Sequence, residues 1–324
     1  MKPKKIRPLD PTKLRTTSLK QGRRIVDLKA FARPWRPGGK FSRFLDGLPE
    51  ILAGRDLRRV VEAVVQAHRR GRPVILAMGA HVIKVGLSPI VIDLMKRGVV
   101  TGIALNGAGA VHDFEVAYAG KTSEDVAETL EDGSFGATRE TADALNLAAG
   151  LCPIRGWGLG QAIGEVMARA KLPHARLSIL AQAAMLGIPA TVHVAIGTDT
   201  IHMHPSADGA AIGQGTLYDF RLFAGMVAKL EGGVYFNIGS AVILPEVFLK
   251  ALSLARNLGH KVQKFTTVNL DFIQHYRPRQ NVTGRPVQRG GQGISLTGHH
   301  EILLPLLAAA ILEGLDQTKR KKIK

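Results

Sequence analysis

Small residues followed by titratable ones mark the end of an apolar run in this sequence. The run at residues 99–105 stops at Asn-Gly-Ala-Gly-Ala (106–110), and His112 and Asp113 come directly after it. A tight turn would explain the glycines, because glycine adopts backbone conformations that other residues avoid. A ligand lying against the backbone would explain them too, since N–H groups at a helix start attract anions. We interpret the stretch as making room for a cofactor.

The same pattern follows three other apolar runs. "VILAMG" (74–79) leads to His81 and Lys84, "VHVAIG" (192–197) leads to an aspartate and two histidines, and "YFNIG" (235–239) leads to a serine. In a parallel sheet, ligands bind outside the carboxyl ends of the strands, so we predict that these segments meet at one edge. From the turns alone, the predicted nucleotide-binding residues are Gly79, His81, Asn106, Gly107, Gly109, Gly239 and Ser240.

Motifs for other kinds of site are absent. The glycines of residues 107–109 lack the third glycine of the dinucleotide fingerprint, and no phosphate-binding G-x-x-x-x-G-K-[S/T] loop or cysteine-based zinc pattern occurs. A metal cluster would need residues such as His193, His202, His204, Asp199 and Asp208. We favour neutral histidines that hydrogen-bond substrate or backbone, and predict no metal.

Apolar runs alternate with stretches of helical periodicity, which predicts a parallel sheet with helices on both faces. The predicted strands are 74–79, 99–105, 190–197, 233–239 and 262–270. The predicted helices are 57–68, 89–97, a stretch from 123 to 171 interrupted near 150–158, 176–186, 216–230, 245–257 and 299–312.

Composition indicates a globular chain with charged ends. The net charge is +18, of which residues 1–45 carry +12 and residues 315–324 carry +4, leaving the part between nearly neutral. We predict a basic extended arm (1–45), a single α/β nucleotide-binding domain (46–314) and a basic tail (315–324). The arms would hold nucleic acid by counterion release, but without a recognisable nucleic-acid fold we favour solvated tails or straps across a sister subunit.

One cysteine, Cys152, excludes an intrachain disulfide and favours a cytoplasmic location. The longest apolar stretch, 302–312, contains Pro305 and is too short to span a bilayer, so no membrane association is predicted. The basic N-terminus lacks the apolar core of a secretory signal.

Over about residues 70–312, the order of motifs resembles the deoxyhypusine synthase family, whose members have an NAD-binding Rossmann-like parallel sheet and assemble as tetramers. The stretch from Gly79 to Glu115 resembles the family's first loop, helix, strand and Ala-Gly-Gly-x-Glu-Glu-Asp turn, with His112 at the second glutamate and Asp113 at the aspartate. "PATVHVAIGTDT" places the nucleotide-contacting aspartate at Asp199, and "GISLTGHHEILLPLLAAAI" resembles the last strand and helix, with His299 at an aspartate near the nicotinamide.

Two features depart from the family. The position of its essential lysine is Leu244, and the acidic run that binds spermidine is replaced by "DFIQHYRPRQNVTGRPVQRGG". Leucine forms no imine, and the arginines of that segment suit an anionic substrate. Lys84 is open to three interpretations: a replacement nucleophile, a phosphate-neutralising group or an exposed lysine.

The resemblance implies NAD as cofactor, adds Asp113 and Asp199 to its predicted contacts, and implies a tetramer or dimer. Proton transfer falls to His112, His202 or His299, with Lys84 as a possible nucleophile, because histidine titrates near neutrality. The predicted substrate contacts are His204, Asp208, Arg277 and Arg285. We predict an NAD-dependent transferase acting on a C–N bond of a small molecule. The alternatives are nucleotide-dependent transfer or hydrolysis of an anionic substrate, and a non-catalytic nucleotide- or RNA-binding protein.

Overall fold

The computed structural model describes residues 6–322, with side chains to residue 316. Its strands are β1 (Val74–Met78), β2 (Gly102–Asn106), β3 (Ala190–His193), β4 (Val234–Ile238), β5 (Thr266–Asp271) and β6 (Gln292–Thr297). Its helices are α1 (Phe41–Gly47), α2 (Leu52–Arg69), α3 (His81–Lys84), α4 (Ser88–Lys96), α5 (Gly107–Ala119), α6 (Val126–Glu131), α7 (Arg139–Arg155), α8 (Leu159–Arg169), α9 (Ile179–Leu186), α10 (Gly209–Ala228), α11 (Ile243–Asn257), α12 (Tyr276–Asn281) and α13 (His300–Lys322).

The six strands form one parallel sheet in the order β3-β2-β1-β4-β5-β6. The chain builds outward from β1 to β3 and then returns to the other side of β1 to place β4. The strand order therefore reverses between β1 and β4. In doubly wound sheets this reversal opens a crevice at the carboxyl ends of the strands, where nucleotides bind.

Alternate residues of each central strand face opposite sides, and both sides are buried. Ile75 and Tyr235 belong to a core with Phe223 of α10 and Phe248 of α11. Val74 and Leu76 face the opposite side. They line a small cavity there together with residues of α2 and α13. Because both faces are covered, the central strands are apolar throughout, which is why their sequences read as short continuous runs.

The predicted α/β sheet with helices on both faces is confirmed, with shifts at the element ends. The third strand ends at His193, four residues earlier than predicted, and the chain from residue 194 to Asp199 forms a loop. Residues 132–138 interrupt the long helical stretch, in addition to the predicted break near Gly156. The edge strand β6 buries only alternate residues, so its sequence carries a weaker apolar signal.

Contacts divide the chain into residues 1–51 and 52–324. The first unit was predicted to be an extended arm up to residue 45, but its second half has structure of its own. The Arg33 guanidinium donates to the Asp46 carbonyl at 2.7 Å, and Trp35 packs edge-on against Phe44 of α1. Apolar side chains in this part of the arm therefore have partners within the unit. The predicted residues 1–5 of the arm lie outside the described residues.

The predicted basic tail is not a separate segment as far as the structure describes it. Helix α13 continues from His300 to Lys322, and residues 323–324 lie outside the described part. Within residues 6–322, none of the helices combines the length and apolar character needed to cross a membrane.

Candidate active site at the carboxyl edge of the sheet

Glycines let the chain pass closely at the point where the strand order reverses. Gly79 follows β1 and Gly239 follows β4, and a methyl group on Gly79 would overlap the Gly239 carbonyl oxygen. Gly239 also has a left-handed backbone (φ 62°), which glycine adopts without strain. The two turns, with Ser240, form a floor with few side chains at the β1–β4 crevice. The predicted convergence of Gly79, His81, Gly239 and Ser240 is seen in the structure.

Aromatic and imidazole rings gather on one side of this floor. His300 lies 5.3 Å from His81 and 6.2 Å from Phe272 between ring centroids, and Phe272 stacks on His299 at 6.1 Å. A side chain on Gly239 would press on the His300 ring. The segments after β1, β5 and β6 thus contribute rings to one cluster, and Gly239 after β4 packs against it. We call it the ring cluster: His81, Phe272, His299 and His300.

Within the ring cluster, His300 is fully buried and His299 is largely exposed. His300 Nε2 faces the Leu270 carbonyl at 3.2 Å, and because a carbonyl only accepts, Nε2 carries the proton. Nδ1 of the neutral ring is then unprotonated and can accept a hydrogen bond, and it has no partner among the described residues. Burial lowers the pKa of His300, with the charge of His81 acting in the same direction. His300 is therefore a neutral ring with an unused acceptor.

Amide side chains lie beneath the turn that follows β4. Asn237 donates to the Ser240 carbonyl at 2.9 Å and to Asn269 Oδ1 at 2.8 Å, and Asn269 donates to Gln274 at 2.7 Å. Both asparagines are completely buried. Such a chain of hydrogen bonds fixes the β4 and β5 turns relative to each other, which is what a preformed binding site needs.

The start of α5 differs from the prediction. Asn106 caps its own helix by accepting the Gly109 N–H at 2.9 Å, and the Asp199 carboxylate accepts the N–H of Ala108. A methyl group on Gly107 would overlap that carboxylate. The small residues at 107–109 thus make room for the protein's own Asp199, so we correct the prediction that this turn lies open to a phosphate.

Asp199 and His202 each have one polar atom without a partner among the residues that the structure describes. Their side chains are 5% and 7% exposed, and Asp199 Oδ2 lies 3.9 Å from His202 Nε2, beyond hydrogen-bond distance. His202 Nδ1 accepts the N–H groups of Gly197 and Asp199, so the proton of the neutral ring is on Nε2. Burial raises the pKa of Asp199 to about 6 and lowers that of His202. The pair offers one acceptor and one donor side by side.

Asp113 has a structural position. Its carboxylate accepts the Ser178 hydroxyl at 2.6 Å and the N–H groups of Ile179 and Leu180 at 2.8 and 3.0 Å. These groups form the first turn of α9, and the side chain is fully buried. The predicted nucleotide contact is corrected, because both oxygens are occupied by a helix N-terminus.

The other predicted side chains do not join the ring cluster. His112 hydrogen-bonds to Thr122, beyond the far end of α5, at 2.6 Å. Asp208 caps α10 by accepting the Ala210 N–H at 2.8 Å, and His204 bonds to Ser206 at 2.7 Å. Asp208 is therefore a helix cap, and its role as a substrate contact stays a prediction. Lys84 is exposed at the end of α3, and its ammonium group has no partner in the described part of the chain.

The two predicted arginines already have partners. Arg277 donates to Glu246 of α11 at 2.6 Å, and Arg285 donates to Asn281 at 2.9 Å. Both contacts tie the segment after β5 to its surroundings. Anion binding by this segment stays a prediction, and it would have to displace or share these contacts.

The histidines considered for a metal do not converge. His193 is buried against Phe223 and hydrogen-bonds to Thr191, and burial lowers its pKa to about 4. In the part of the chain that the structure describes, no three His, Cys, Asp or Glu side chains form a group suited to a metal ion.

Sequence reasoning missed His300 and Phe272. The His-His pair after the last strand was the available signal, but only the register of α13 decides which of the two histidines turns inward. Phe272 follows β5 directly. The arginines of the same segment are the stronger sequence signal, and they indicate an anionic substrate.

No known protein-family model matches the sequence, and no curated protein matches it either. Solved structures share its fold. A protein of Methanococcus maripaludis S2, provisionally assigned as LOR/SDH, is 16% identical with a TM-score of 0.52, covering 83% of this chain and 71% of its own. A protein of Entamoeba histolytica, provisionally assigned as a deoxyhypusine synthase, is 10% identical with a TM-score of 0.50, covering 87% and 96%.

A third structure is the ternary complex of AgrE with ornithine and NAD+, 13% identical with a TM-score of 0.51 over 84% of this chain. The chain spans about a third of the length of AgrE. At these identities the likeness shows the α/β fold alone.

Proposed function

We propose that the protein is an NAD-dependent enzyme that acts on a C–N bond of a small molecule at the β1–β4 crevice. The observation that carries this proposal is the side-chain-poor floor of Gly79, Gly239 and Ser240 at the reversal of strand order, next to the unpartnered Nδ1 of His300. The likeness to fold relatives, one of them crystallised with NAD+, supports the choice of cofactor.

The residues present fit a dinucleotide on both sides of the crevice. On the β2–β3 side, Asp199 Oδ2 and His202 Nε2 would accept from and donate to ribose hydroxyls, which would satisfy both buried atoms. On the β4–β6 side, the ring cluster would line the nicotinamide. Held by these residues, NAD would supply the hydride acceptor for oxidation of the carbon next to the substrate nitrogen.

The chain's own contribution to the reaction is to hold the substrate and to take up a proton. We propose that the neutral His300 accepts at Nδ1 the proton that the substrate nitrogen loses, beside the exposed ring of His81. Its lowered pKa keeps the lone pair available at neutral pH. The fixed Nε2–H bond to Leu270 sets the orientation of the ring.

Calorimetry with NAD tests the cofactor. We expect the full chain to bind NAD and Asp199→Ala to bind it roughly 10- to 100-fold more weakly, as for the loss of a charge-assisted hydrogen bond of about 1.5–3 kcal/mol. Asp143→Asn, an exposed carboxylate on α7, is the matched control and should bind normally. Absence of NAD binding by the parent protein would remove the proposal.

A second assay tests the chemistry. Ornithine, arginine and spermidine are offered with NAD, reduced nicotinamide is followed by its absorbance, and imines are trapped with borohydride. We expect no covalent imine from spermidine, because Leu244 at the family's lysine position is buried in the core. Labelling of Lys84 would contradict this expectation and restore the family's chemistry by another route.

A further inference from the structure

A cleft of about 880 Å³ opens at the opposite edge of the sheet, where the strands begin. Its walls are the segments that precede β1, β2 and β3, the segment between α10 and β4, and the last turns of α10. The cleft reaches Ile75, a core residue with 1% exposure. Gly225 of α10 borders this open space, because no atom lies within 4 Å of where its side chain would begin. We call this feature the amino-edge cleft.

Positive charge dominates the amino-edge cleft. Four cationic residues line it: Arg72, Arg221, Lys229 and Lys261. Glu231 is the one carboxylate among the lining residues. Among the described residues, no ion pair involves any of these four. Glu231 Oε2 is occupied by the N–H groups of Gln263 and Lys264, at 2.6 and 2.9 Å. Residues 46–314 are nearly neutral as a whole, so the excess of cations in the cleft lining is a local concentration of charge.

The interior of the cleft is apolar. Ile75, Leu222 and Met226 line it below the cationic groups, together with Pro73 and Pro189. Such a lining recognises an apolar or planar body, and the exposed cations around it recognise an anionic group. The volume lies in the usual range for small-molecule sites, roughly 300–1,000 Å³. A nucleic-acid backbone would touch only the mouth and leave the apolar interior empty.

We propose that the amino-edge cleft binds a small organic anion, with a phosphate or carboxylate held by the cations and an apolar body against Ile75 and Met226. This site is separate from the crevice proposed for NAD, since its residues precede the strands and do not follow them. Its occupation is therefore independent of the proposed function.

The test uses phenyl phosphate as probe and benzyl alcohol as its neutral counterpart, measured by calorimetry on the full chain. We expect phenyl phosphate to bind and benzyl alcohol to bind at least ten-fold more weakly. Arg72→Gln/Lys261→Gln should weaken phenyl phosphate at least ten-fold by removing charge. Gly225→Leu should weaken it similarly by filling the cleft while leaving the charge intact.

The matched control is Arg70→Gln/Lys264→Gln, which removes two cations from a separate cleft at the same edge and should bind the probe as the parent does. Melting temperatures of all variants establish that each is folded. No binding of phenyl phosphate by the parent, or equal loss in the control, would overturn the proposal. So would a single-stranded RNA that displaces the probe and loses affinity in the Arg72→Gln/Lys261→Gln variant, since that outcome assigns the edge to nucleic acid.

Discussion

Asp113 and Asp219 hold the first turns of two successive helices from inside the protein. Asp219 accepts the N–H groups of Gly160 in α8 and Val192 in β3, both at 2.8 Å, as Asp113 does for α9. Burial raises the pKa of Asp219 to about 7 and that of Asp113 to about 6, against the lowering effect of these hydrogen bonds. Neither carboxylate reaches the crevice, so both titrate as parts of the core.

The raised pKa of Asp113 makes stability depend on pH. A carboxyl group whose pKa is higher in the folded state stabilises the fold most below its unfolded pKa, near 4, and this contribution declines as pH rises through about 6. We expect Asp113→Asn to remove about 2 kcal/mol of the fall in unfolding free energy between pH 4 and pH 7. Urea unfolding of parent and variant at both pH values measures it.

The exposed Asp143 supplies the control, since Asp143→Asn should leave the parent's pH dependence in place. A pH dependence of Asp113→Asn equal to that of the parent would show that the Asp113 carboxyl has an ordinary pKa. A steeper fall of the unfolding free energy with pH in the variant would mean that folding lowers the pKa of Asp113.

At the scale of elements, the turns after β1 and β4 can pack closely because Gly79 has no side chain. Gly79 at the end of β1 is packed against the backbone of Gly239, and backbone moves less readily than a side-chain tip. Gly213 in α10 has no atom within 4 Å of its Cβ position. The same substitution should therefore act in opposite directions at the two sites.

We expect Gly79→Ala to lower the unfolding free energy by about 1–3 kcal/mol, the usual cost of overpacking. Gly213→Ala should raise it by about 0.5–1 kcal/mol, because alanine restricts the unfolded chain and favours helix. Urea denaturation of both variants gives the comparison. A neutral Gly79→Ala would mean that the β1 and β4 turns separate easily and that the crevice floor is not rigid.

At the scale of the molecule, large apolar side chains stand exposed beside the crevice. Val242 after β4, Ile273 after β5 and Tyr276 of α12 are 51%, 51% and 69% exposed. Exposed apolar residues grouped at one edge are typical of interaction surfaces. We propose a homo-oligomer, a dimer or tetramer, that covers this edge.

Sedimentation of the full chain at micromolar concentration should give a dimer or tetramer, and Ile273→Asp/Tyr276→Asp should give a smaller species by placing charges in the interface. Lys96→Asp, on α4, serves as the charge-matched surface control and should sediment as the parent. A monomeric parent protein would contradict the proposed assembly.

The sequence by itself determined the class of fold, and it predicted the edge of the sheet at which the candidate site lies. Continuous apolar runs such as residues 74–78 predict strands buried on both faces, and the glycine turns after them predict a ligand edge, because both signals are local. The resemblance to a known family added Asp199, and the structure places it at that edge, packed on Gly107.

Tertiary structure decided which polar groups are free. Asn106, Asp208 and Asp113 carry side chains typical of ligand contacts, but each accepts N–H groups at a helix N-terminus. Asn106 and Asp208 cap the helices that they precede in the sequence, whereas Asp113 caps a helix that only folding brings within reach. The choice between His299 and His300 likewise depends on the rotation of α13, which neighbouring residues in a sequence do not encode. Contacts between distant segments decide which buried polar atoms have hydrogen-bond partners and which do not. The edge of the candidate site could therefore be predicted from the sequence, but the polar atoms available to a ligand could not.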